Sequence, residues 1–168
     1  MKYEKYLNEA NPKVVMDVKD FGSIEIELFP SVAPITVENF LNLVDNNFYN
    51  GLTFHRIISG FMIQGGDPLG NGTGGSKNKI KGEFTSNGVK NDLEHSRGVI
   101  SMARAMNPNS ASSQFFIMHK DAPHLDGNYA AFGVVVKGIE VVDKIAEVQT
   151  DYYDHPVENV IMNVKRVK

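Results

Sequence analysis

The stretch "SIEIELF", residues 23–29, decides the fold class because its apolar and charged residues alternate. Ile24, Ile26 and Leu28 fall on one side of an extended chain, and the two glutamates between them fall on the other. This period of two is typical of a β-strand with one buried and one solvated face. "VVMDV", residues 14–18, alternates in the same way, and the link "KDFG" offers an Asp and a Gly for a tight reversal. The two stretches therefore predict a β-hairpin.

Two amphipathic helices are predicted, one after this hairpin and one near the end of the chain. Pro34 suits the first turn of a helix, because its missing N–H would have had no partner there. The apolar residues after it recur at the spacing i, i+3, i+4, i+7 of a helix with one buried face. A second apolar patch follows Gly138. The apolar positions are Val37, Phe40, Leu41 and Val44 in the first helix, and Val141, Val142 and Ile145 in the second.

Between residues 52 and 132 the pattern indicates strands and loops only. Five short apolar runs, "TFHRII", "FMIQ", "GVISMA", "SQFFIM" and "AAFGVVV", are separated by segments rich in Gly, Asn, Ser and Pro. With the hairpin and the alternating "VIMNV" near the end, the strands number about eight. Antiparallel strands in that number most economically remove their edges by closing into a barrel. The predicted fold is mainly β: a closed eight-stranded antiparallel β-barrel capped by two α-helices. We expect one domain over residues 1–168, with residues 1–12 as a flexible lead.

The composition excludes several kinds of partner and site. The 168 residues include 17 Lys and Arg against 20 Asp and Glu, for a formal net charge of −3. No block of like charges occurs, so nucleic acid is not an expected partner. The chain has no cysteine and can form neither a disulfide nor a thiolate metal site. No apolar run is long enough to span a membrane, and the first residues lack the apolar core of a signal peptide. We expect a cytoplasmic monomer.

A glycine-rich turn, "GNGTGG" at residues 70–75, carries the G-x-G-x-x-G spacing of dinucleotide-binding turns. Such a turn requires a helix to begin at the glycines, whereas the "SKNKIKGEF" that follows has no apolar stripe. "GGSK" also departs from the phosphate loop, in which Lys directly follows the last Gly. We interpret the segment as an exposed turn whose glycines allow close approach of an extended ligand.

The five histidines and the serines supply no recognisable metal site or nucleophile. His119 and His124 are five residues apart with a proline between them, and no H-E-x-x-H motif occurs. No G-x-S-x-G elbow is present. The sequence thus predicts no metal ion, no cofactor and no hydrolytic triad.

The stretch "FHRIISGFMIQGGD", residues 54–67, has an unusual composition for a core strand, because Arg56 and Gln64 interrupt its apolar runs. Residues an even number apart share a face of a strand, so Phe54 lies beside Arg56 and Met62 beside Gln64. Such a face combines apolar surface with hydrogen-bonding groups and suits a binding groove. Periodicity alone equally allows Arg56 to pair with an acid on the barrel exterior and Gln64 to cap a loop.

Five segments in order resemble the signature segments of the cyclophilins: "FHRIISGFMIQGGD", "GNGTGG", "GVISMARA", "NSASSQFFI" and "LDGNYAAFG". The resemblance runs from about residue 14 to residue 167, and the short loops are similar to those of bacterial single-domain members. It implies an eight-stranded barrel and a peptidyl-prolyl cis/trans isomerase that acts on proline-containing peptides and partly folded proteins, and so assists protein folding.

The resemblance also implies roles for individual residues. Arg56 would be catalytic, donating a hydrogen bond to the prolyl nitrogen, and Gln64 would donate to a substrate carbonyl. An apolar pocket would hold the proline ring, and the main chain around residue 103 would hold the flanking peptide as an added strand. The implied substrate-binding residues are His55, Phe61, Met62, Ala103, Arg104, Gln114, Phe116, His124, Leu125 and Tyr129.

Some positions depart from the family pattern. His124 stands where animal members usually carry Trp, which predicts weak inhibition by cyclosporin. Tyr129 occupies a position that is often His, and Ser59 one that is often Pro, but neither touches the donor. Arg104 replaces a frequent Asn, and its side chain is expected to favour acidic residues beside the proline. A peptide-binding module without turnover is the alternative function, although such a module would need the pocket and not Arg56.

Overall fold

The computed structural model describes residues 3–167 and contains eight β-strands and two α-helices in that range. The chain order is β1, β2, α1, β3, β4, β5, β6, β7, α2 and β8, with one short 3₁₀ turn before β1, one between β4 and β5 and one between β6 and β7. The strands are β1 Lys13–Val18, β2 Gly22–Leu28, β3 Phe54–Ile58, β4 Met62–Gly65, β5 Val99–Met102, β6 Phe115–Met118, β7 Ala131–Lys137 and β8 Met162–Arg166. The helices are α1 Pro34–Asp45 and α2 Ile139–Ala146.

All eight strands form one antiparallel sheet in the order β3, β4, β6, β5, β7, β2, β1, β8. The sheet curls, so that its two end strands come near each other. The contact between these ends is an isolated bridge between Thr53, just before β3, and Ile161, just before β8. The prediction of eight antiparallel strands with two helices is confirmed.

The hairpin that the alternating pattern predicts is formed by β1 and β2. Its register places Val14 opposite Ile26 and Met16 opposite Ile24, and all four side chains are fully buried. The reversal uses Asp20 at φ 71°, in the left-handed region that Asp tolerates better than most residues. The inward face of the hairpin is therefore part of the core.

Both helices lie where the apolar spacing predicts them. α1 packs against β8, and α2 packs against β2, β3 and β4. Beneath α1 the core is aromatic: the Phe40 ring lies 5.1 Å from Tyr49, 5.3 Å from Phe132 and 5.7 Å from Phe115, measured between centroids. Tyr49 donates its hydroxyl to Ser113 O at 2.9 Å, so the buried polar end of this ring is satisfied.

Residues 3–12 of the predicted lead contact the barrel. The Tyr6 ring packs 5.7 Å from Phe29, and its hydroxyl donates to the Asp92 carboxylate. Asn8 N and Asn11 Nδ2 both donate to Glu27 Oε2 at 3.0 Å. The predicted flexibility of residues 1–12, of which residues 1 and 2 lie outside the described part of the chain, stays a prediction that hydrogen exchange of the Asn8 amide would measure.

Neither helix within residues 3–167 has the length and apolar character that crossing a membrane requires.

Candidate active site

The β3–β4 hairpin places Arg56 and Gln64 side by side on one face. The two residues are register partners across the hairpin, and Arg56 Nη1 lies 3.4 Å from Gln64 Oε1. Arg56 is exposed and forms no ion pair with any residue between 3 and 167. The guanidinium is therefore free to meet a ligand, which favours the groove over the exterior ion pair.

A chain of hydrogen bonds fixes the amide orientation of Gln64. Gln114 Nε2 donates to the carbonyls of Gly72 and Gly74 at 3.1 and 2.8 Å, so the oxygen of Gln114 turns toward Gln64. Gln64 Nε2 donates to that oxygen at 3.0 Å. The Gln64 oxygen then faces Arg56. One of the two N–H groups of Gln64 Nε2 stays available for a ligand.

Beside this pair lies a cavity of about 160 Å³ whose walls combine apolar side chains with polar groups. Its base is formed by Met62 and Phe116, which are buried, and one side by Phe61, which is half-buried. Nine of the predicted site residues line it: Arg56, Phe61, Met62, Gln64, Ala103, Arg104, Phe116, Leu125 and Tyr129.

The remaining three predicted residues lie around this cavity. His124 is exposed at its rim, with its ring 5.8 Å from Phe61. Gln114 lines a neighbouring cavity of about 320 Å³, which shares Gln64, Ala103 and Arg104 with the first. His55 is buried beside a third cavity, which it shares with Arg56 and Gln64.

The glycine-rich turn forms a wall of the second cavity and wraps around the carboxylate of Asp67, three residues before it. Asp67 is buried and accepts hydrogen bonds from the backbone N–H groups of Leu69, Asn71, Gly72 and Gly74. Burial alone would raise the pKa of Asp67, but these four donors hold it below its ordinary value. The backbone donors that a phosphate would need are therefore used within the turn.

Arg104 folds back onto its own loop. Its guanidinium stands 4.8 Å from the centroids of both Phe84 and Tyr129. It donates to the carbonyls of Asn128, Ala105 and Met106. The acidic preference expected from this side chain stays a prediction, and the geometry favours a role in holding the cavity wall.

Two histidines that the sequence did not indicate support the cavity from behind. His95 is buried and stacks on Phe116 at 5.9 Å, with Nδ1 2.9 Å from Asp126 Oδ1 and Nε2 2.9 Å from Ser101 Oγ. His119 Nδ1 accepts from Gly60 N at 2.9 Å, beside Phe61. No short motif marks either residue, because their partners are distant in sequence.

The family assignment follows from comparison with known proteins. Residues 13–167 match the family model described as cyclophilin type peptidyl-prolyl cis-trans isomerase/CLD. The chain belongs to the cyclophilin family. The resemblance expected from its motifs is thereby confirmed over nearly the whole cyclophilin domain.

Individual relatives agree with this assignment. The cyclophilin is 42% identical to a peptidyl-prolyl cis-trans isomerase of Acinetobacter baylyi over 174 residues, which covers 94% of this chain and 88% of that one. It is 48% identical to one from Helicobacter pylori over 128 residues, covering 75% and 76%. A crystal structure of a Cryptosporidium parvum cyclophilin type isomerase in the presence of the dipeptide Ala-Pro superposes with a TM-score of 0.85. That structure is 33% identical and covers 93% of this chain and 99% of its own.

The contacts of His95 in this cyclophilin have the connectivity of a Ser–His–Asp triad, but the serine is not accessible to a substrate. Asp126 accepts from Nδ1–H, which leaves the neutral Nε2 to accept from the Ser101 hydroxyl. Ser101 is fully buried in a strand, so no substrate reaches its oxygen. The trio therefore packs behind Phe116, and its serine is not placed to attack a substrate. Among residues 3–167 no group of three His, Cys, Asp or Glu is placed to hold a metal ion.

The buried histidines predict that the cyclophilin loses stability as the pH falls below about 6.5. Burial lowers the pKa of His95, partly opposed by Asp126, and burial likewise lowers that of His55, partly opposed by Asp67. In the unfolded chain both histidines take up protons near the ordinary histidine pKa of about 6.5, whereas in the folded chain they resist protonation. Protonation therefore favours unfolding. Urea unfolding between about pH 8 and about pH 5.5 measures how the free energy of unfolding changes with pH. Most carboxylates stay ionised over this range.

The variant His95→Asn supplies the control for this pH dependence. It removes one of the two depressed pKa values, so the midpoint urea concentration should change less with pH than in the wild type. An equally steep profile in the variant, or a flat profile in the wild type, would show that these histidines do not carry the effect.

Proposed function

We propose that this cyclophilin accelerates rotation about X–Pro bonds in proline-containing polypeptides with Arg56 as the catalytic donor, and so assists slow steps of protein folding. The supporting observation is the position of the Arg56 guanidinium, which forms no ion pair within residues 3–167, beside Gln64 and next to the cavity lined by Met62 and Phe116. A proline ring in that cavity would bring its nitrogen to the donor.

The chemistry requires no base, nucleophile or metal, because no covalent bond breaks. The barrier of roughly 18 to 20 kcal/mol comes from amide resonance, which withdraws the lone pair of the prolyl nitrogen. As the amide twists, that lone pair becomes available to accept a hydrogen bond. Arginine suits this task, since its guanidinium stays protonated and donates without exchanging a proton.

The magnitude is within reach of such a site. An acceleration of about 10⁵ requires roughly 7 kcal/mol. Preorganised donors acting in a site from which water is excluded contribute about 3 to 4 kcal/mol each when measured by removal. Arg56 and the free N–H of Gln64, together with confinement of the proline ring by Met62 and Phe116 while the amide twists, would therefore account for most of the requirement.

The peptide that flanks the proline would bind as an added strand along residues 103 and 104. Ala103 N already donates to Gln114 O at 3.0 Å. The Ala103 carbonyl and the Arg104 N–H would therefore carry the contacts to substrate. Gln114 and the glycine turn would border the same peptide through the second cavity.

Exchange NMR on an unlabelled Ala-Pro peptide with catalytic amounts of protein tests the function. Uncatalysed exchange takes tens to hundreds of seconds. Catalysis should therefore broaden the cis and trans signals or give exchange cross-peaks between them. Accelerated exchange supports the isomerase. Peptide binding without exchange would instead identify a recognition module, and the mechanism above would be wrong.

We infer further that the barrel is closed and that the protein is a cytoplasmic monomer with one domain. Closure is supported by three backbone hydrogen bonds of 2.8 to 3.0 Å across the gap: Gly51 N to Met162 O, Met162 N to Leu52 O and Phe54 N to Val160 O. Slow hydrogen exchange at the Met162 and Phe54 amides would support closure of the barrel.

The net charge of −3 supports the absence of a nucleic-acid partner. Light scattering measures the oligomeric state. His124 at the rim supports weak cyclosporin binding.

A further inference from the structure

The loop between α2 and β8, residues 147–161, contains a turn that we name the tyrosine turn, residues 151–155. Its two arms are joined by the Thr150–Pro156 bridge, and Asp151 N donates to His155 O at 2.8 Å. The Asp151 carboxylate accepts from the N–H groups of Tyr153 and His155 at 2.8 and 3.1 Å. The conformation of the turn is thus set by its own hydrogen bonds.

The turn presents two aromatic side chains to solvent. Tyr152 is 93% exposed and Tyr153 is 82% exposed, and their rings stand edge to face at 5.5 Å. Every other Phe and Tyr side chain within residues 3–167 is at least partly buried. Two adjacent aromatic rings held in solvent on a rigid turn are a feature that core packing does not explain.

The tyrosine turn is continuous with Arg56 and Gln64. The third cavity, of about 430 Å³, is lined by Arg56 and Gln64 and also by Asp151, Tyr153 and His155. Two hydrogen bonds of 2.9 Å fix the turn to β3 on both sides of Arg56. Ile57 N donates to Asp154 O, and His155 Nδ1 donates to His55 O. A polypeptide that leaves the proline cavity past Arg56 therefore meets Tyr153.

The charge of this segment has one sign. Between Lys144 and Lys165 there is no Lys or Arg. Within residues 3–167 the segment's carboxylates form no ion pair. Aromatic faces beside unpaired carboxylates attract ammonium and guanidinium groups through cation–π and Coulomb interactions. The acidic residues are Glu147, Asp151, Asp154 and Glu158.

We propose that the tyrosine turn docks the segment flanking the proline in the substrate polypeptide and selects a Lys or Arg there. This inference rests on the isomerase function proposed above. A basic residue directly beside the proline would lie against the Arg56 guanidinium. A residue two or more positions away is carried past it, since an extended chain advances about 3.3 Å per residue. Selection by charge thus acts at a distance from the proline.

A peptide series with an Ala-Pro core in an Ala and Gly background tests the proposal. Each peptide carries one Lys or one Glu at a position two to five residues from the proline, on either side. Exchange NMR gives kcat/KM for each peptide. At one or two neighbouring positions Lys should exceed Glu by about threefold to tenfold, and the ratio should fall in about 0.5 M NaCl.

Variants locate the effect. Tyr152→Ala/Tyr153→Ala should bring the Lys to Glu ratio close to one, while Tyr152→Phe/Tyr153→Phe should keep most of it, because the aromatic faces remain. Glu140→Gln, which removes an exposed carboxylate of α2, is the matched charge control and should leave the ratio unchanged. Far-UV circular dichroism and urea unfolding verify that each variant folds.

The outcomes separate this proposal from the one it rests on. If the reference Ala-Pro peptide is not turned over, the isomerase function itself is wrong. If that peptide is turned over but Lys and Glu are equal at every position, the docking surface is wrong. The same conclusion follows if the Lys preference persists in the double alanine variant.

Discussion

Replacing Arg56 with alanine should lower kcat/KM for an Ala-Pro peptide by about 10²- to 10³-fold, the effect of removing one preorganised donor from a catalytic site. The guanidinium is exposed, and its one hydrogen bond within residues 3–167 is the 3.4 Å contact to Gln64, so we expect folding not to depend on it. Most of the loss should appear in kcat, because Met62 and Phe116 of the cavity proposed to hold the proline ring remain. Exchange NMR measures the rate, and a titration followed by peptide chemical shifts measures binding.

The variant Arg56→Lys separates charge from geometry. Lysine keeps the positive charge but lacks the planar fork with several N–H donors, so a site that depends on donation to the prolyl nitrogen should recover little activity. Full recovery in Arg56→Lys would mean that only a local positive charge is needed. Retention of more than half of the activity in Arg56→Ala would remove Arg56 from the mechanism.

Sequence periodicity predicted the fold well because the relevant contacts are local. The alternation in residues 23–29 reports the side of β2 that faces the core, and the apolar spacing after Pro34 reports the buried face of α1. The predicted solvated side of β2 is wrong at Glu27, which is buried beneath Asn8 and Asn11. Both patterns depend only on neighbours along the chain. Closure of the sheet depends instead on Thr53 meeting Ile161, which are 108 positions apart, and no local pattern reports that contact.

The candidate site was predicted in part for the same reason. Arg56 and Gln64 stood out as polar residues within apolar runs, and β3 and β4 bring them together across one hairpin. His95 gave no signal, because its partners Phe116 and Asp126 come from other elements. The pairing of Arg104 with carbonyls depends on the conformation of a loop, which its sequence does not fix.

Glu83 is the other residue whose replacement should have a large effect, in this case on stability. Its buried carboxylate accepts from Ile35 N, from Thr36 N and from the Thr36 hydroxyl at 3.2, 2.6 and 2.7 Å. These donors lie in the first turn of α1, whose N-cap, Ala33, provides no side-chain hydrogen bond. Glu83 therefore caps α1 from 47 and 48 positions away, and its charge also suits the positive end of the helix.

Glu83→Ala should lower the free energy of unfolding by about 3 to 5 kcal/mol, since it leaves three donors without partners at a buried helix end. Glu83→Gln keeps an acceptor oxygen and should cost about half as much. Glu38→Ala removes an exposed carboxylate from the same helix and should change stability by less than about 0.5 kcal/mol. Urea unfolding of the three variants measures these differences. If Glu83→Ala is no less stable than Glu38→Ala, α1 does not depend on this cap. Asn39 on α1 donates to Ser112 O, two residues before Gln114, so α1 also supports the segment that carries Gln114. If Glu83→Ala is less stable, its activity should therefore also fall at temperatures where the wild type stays folded.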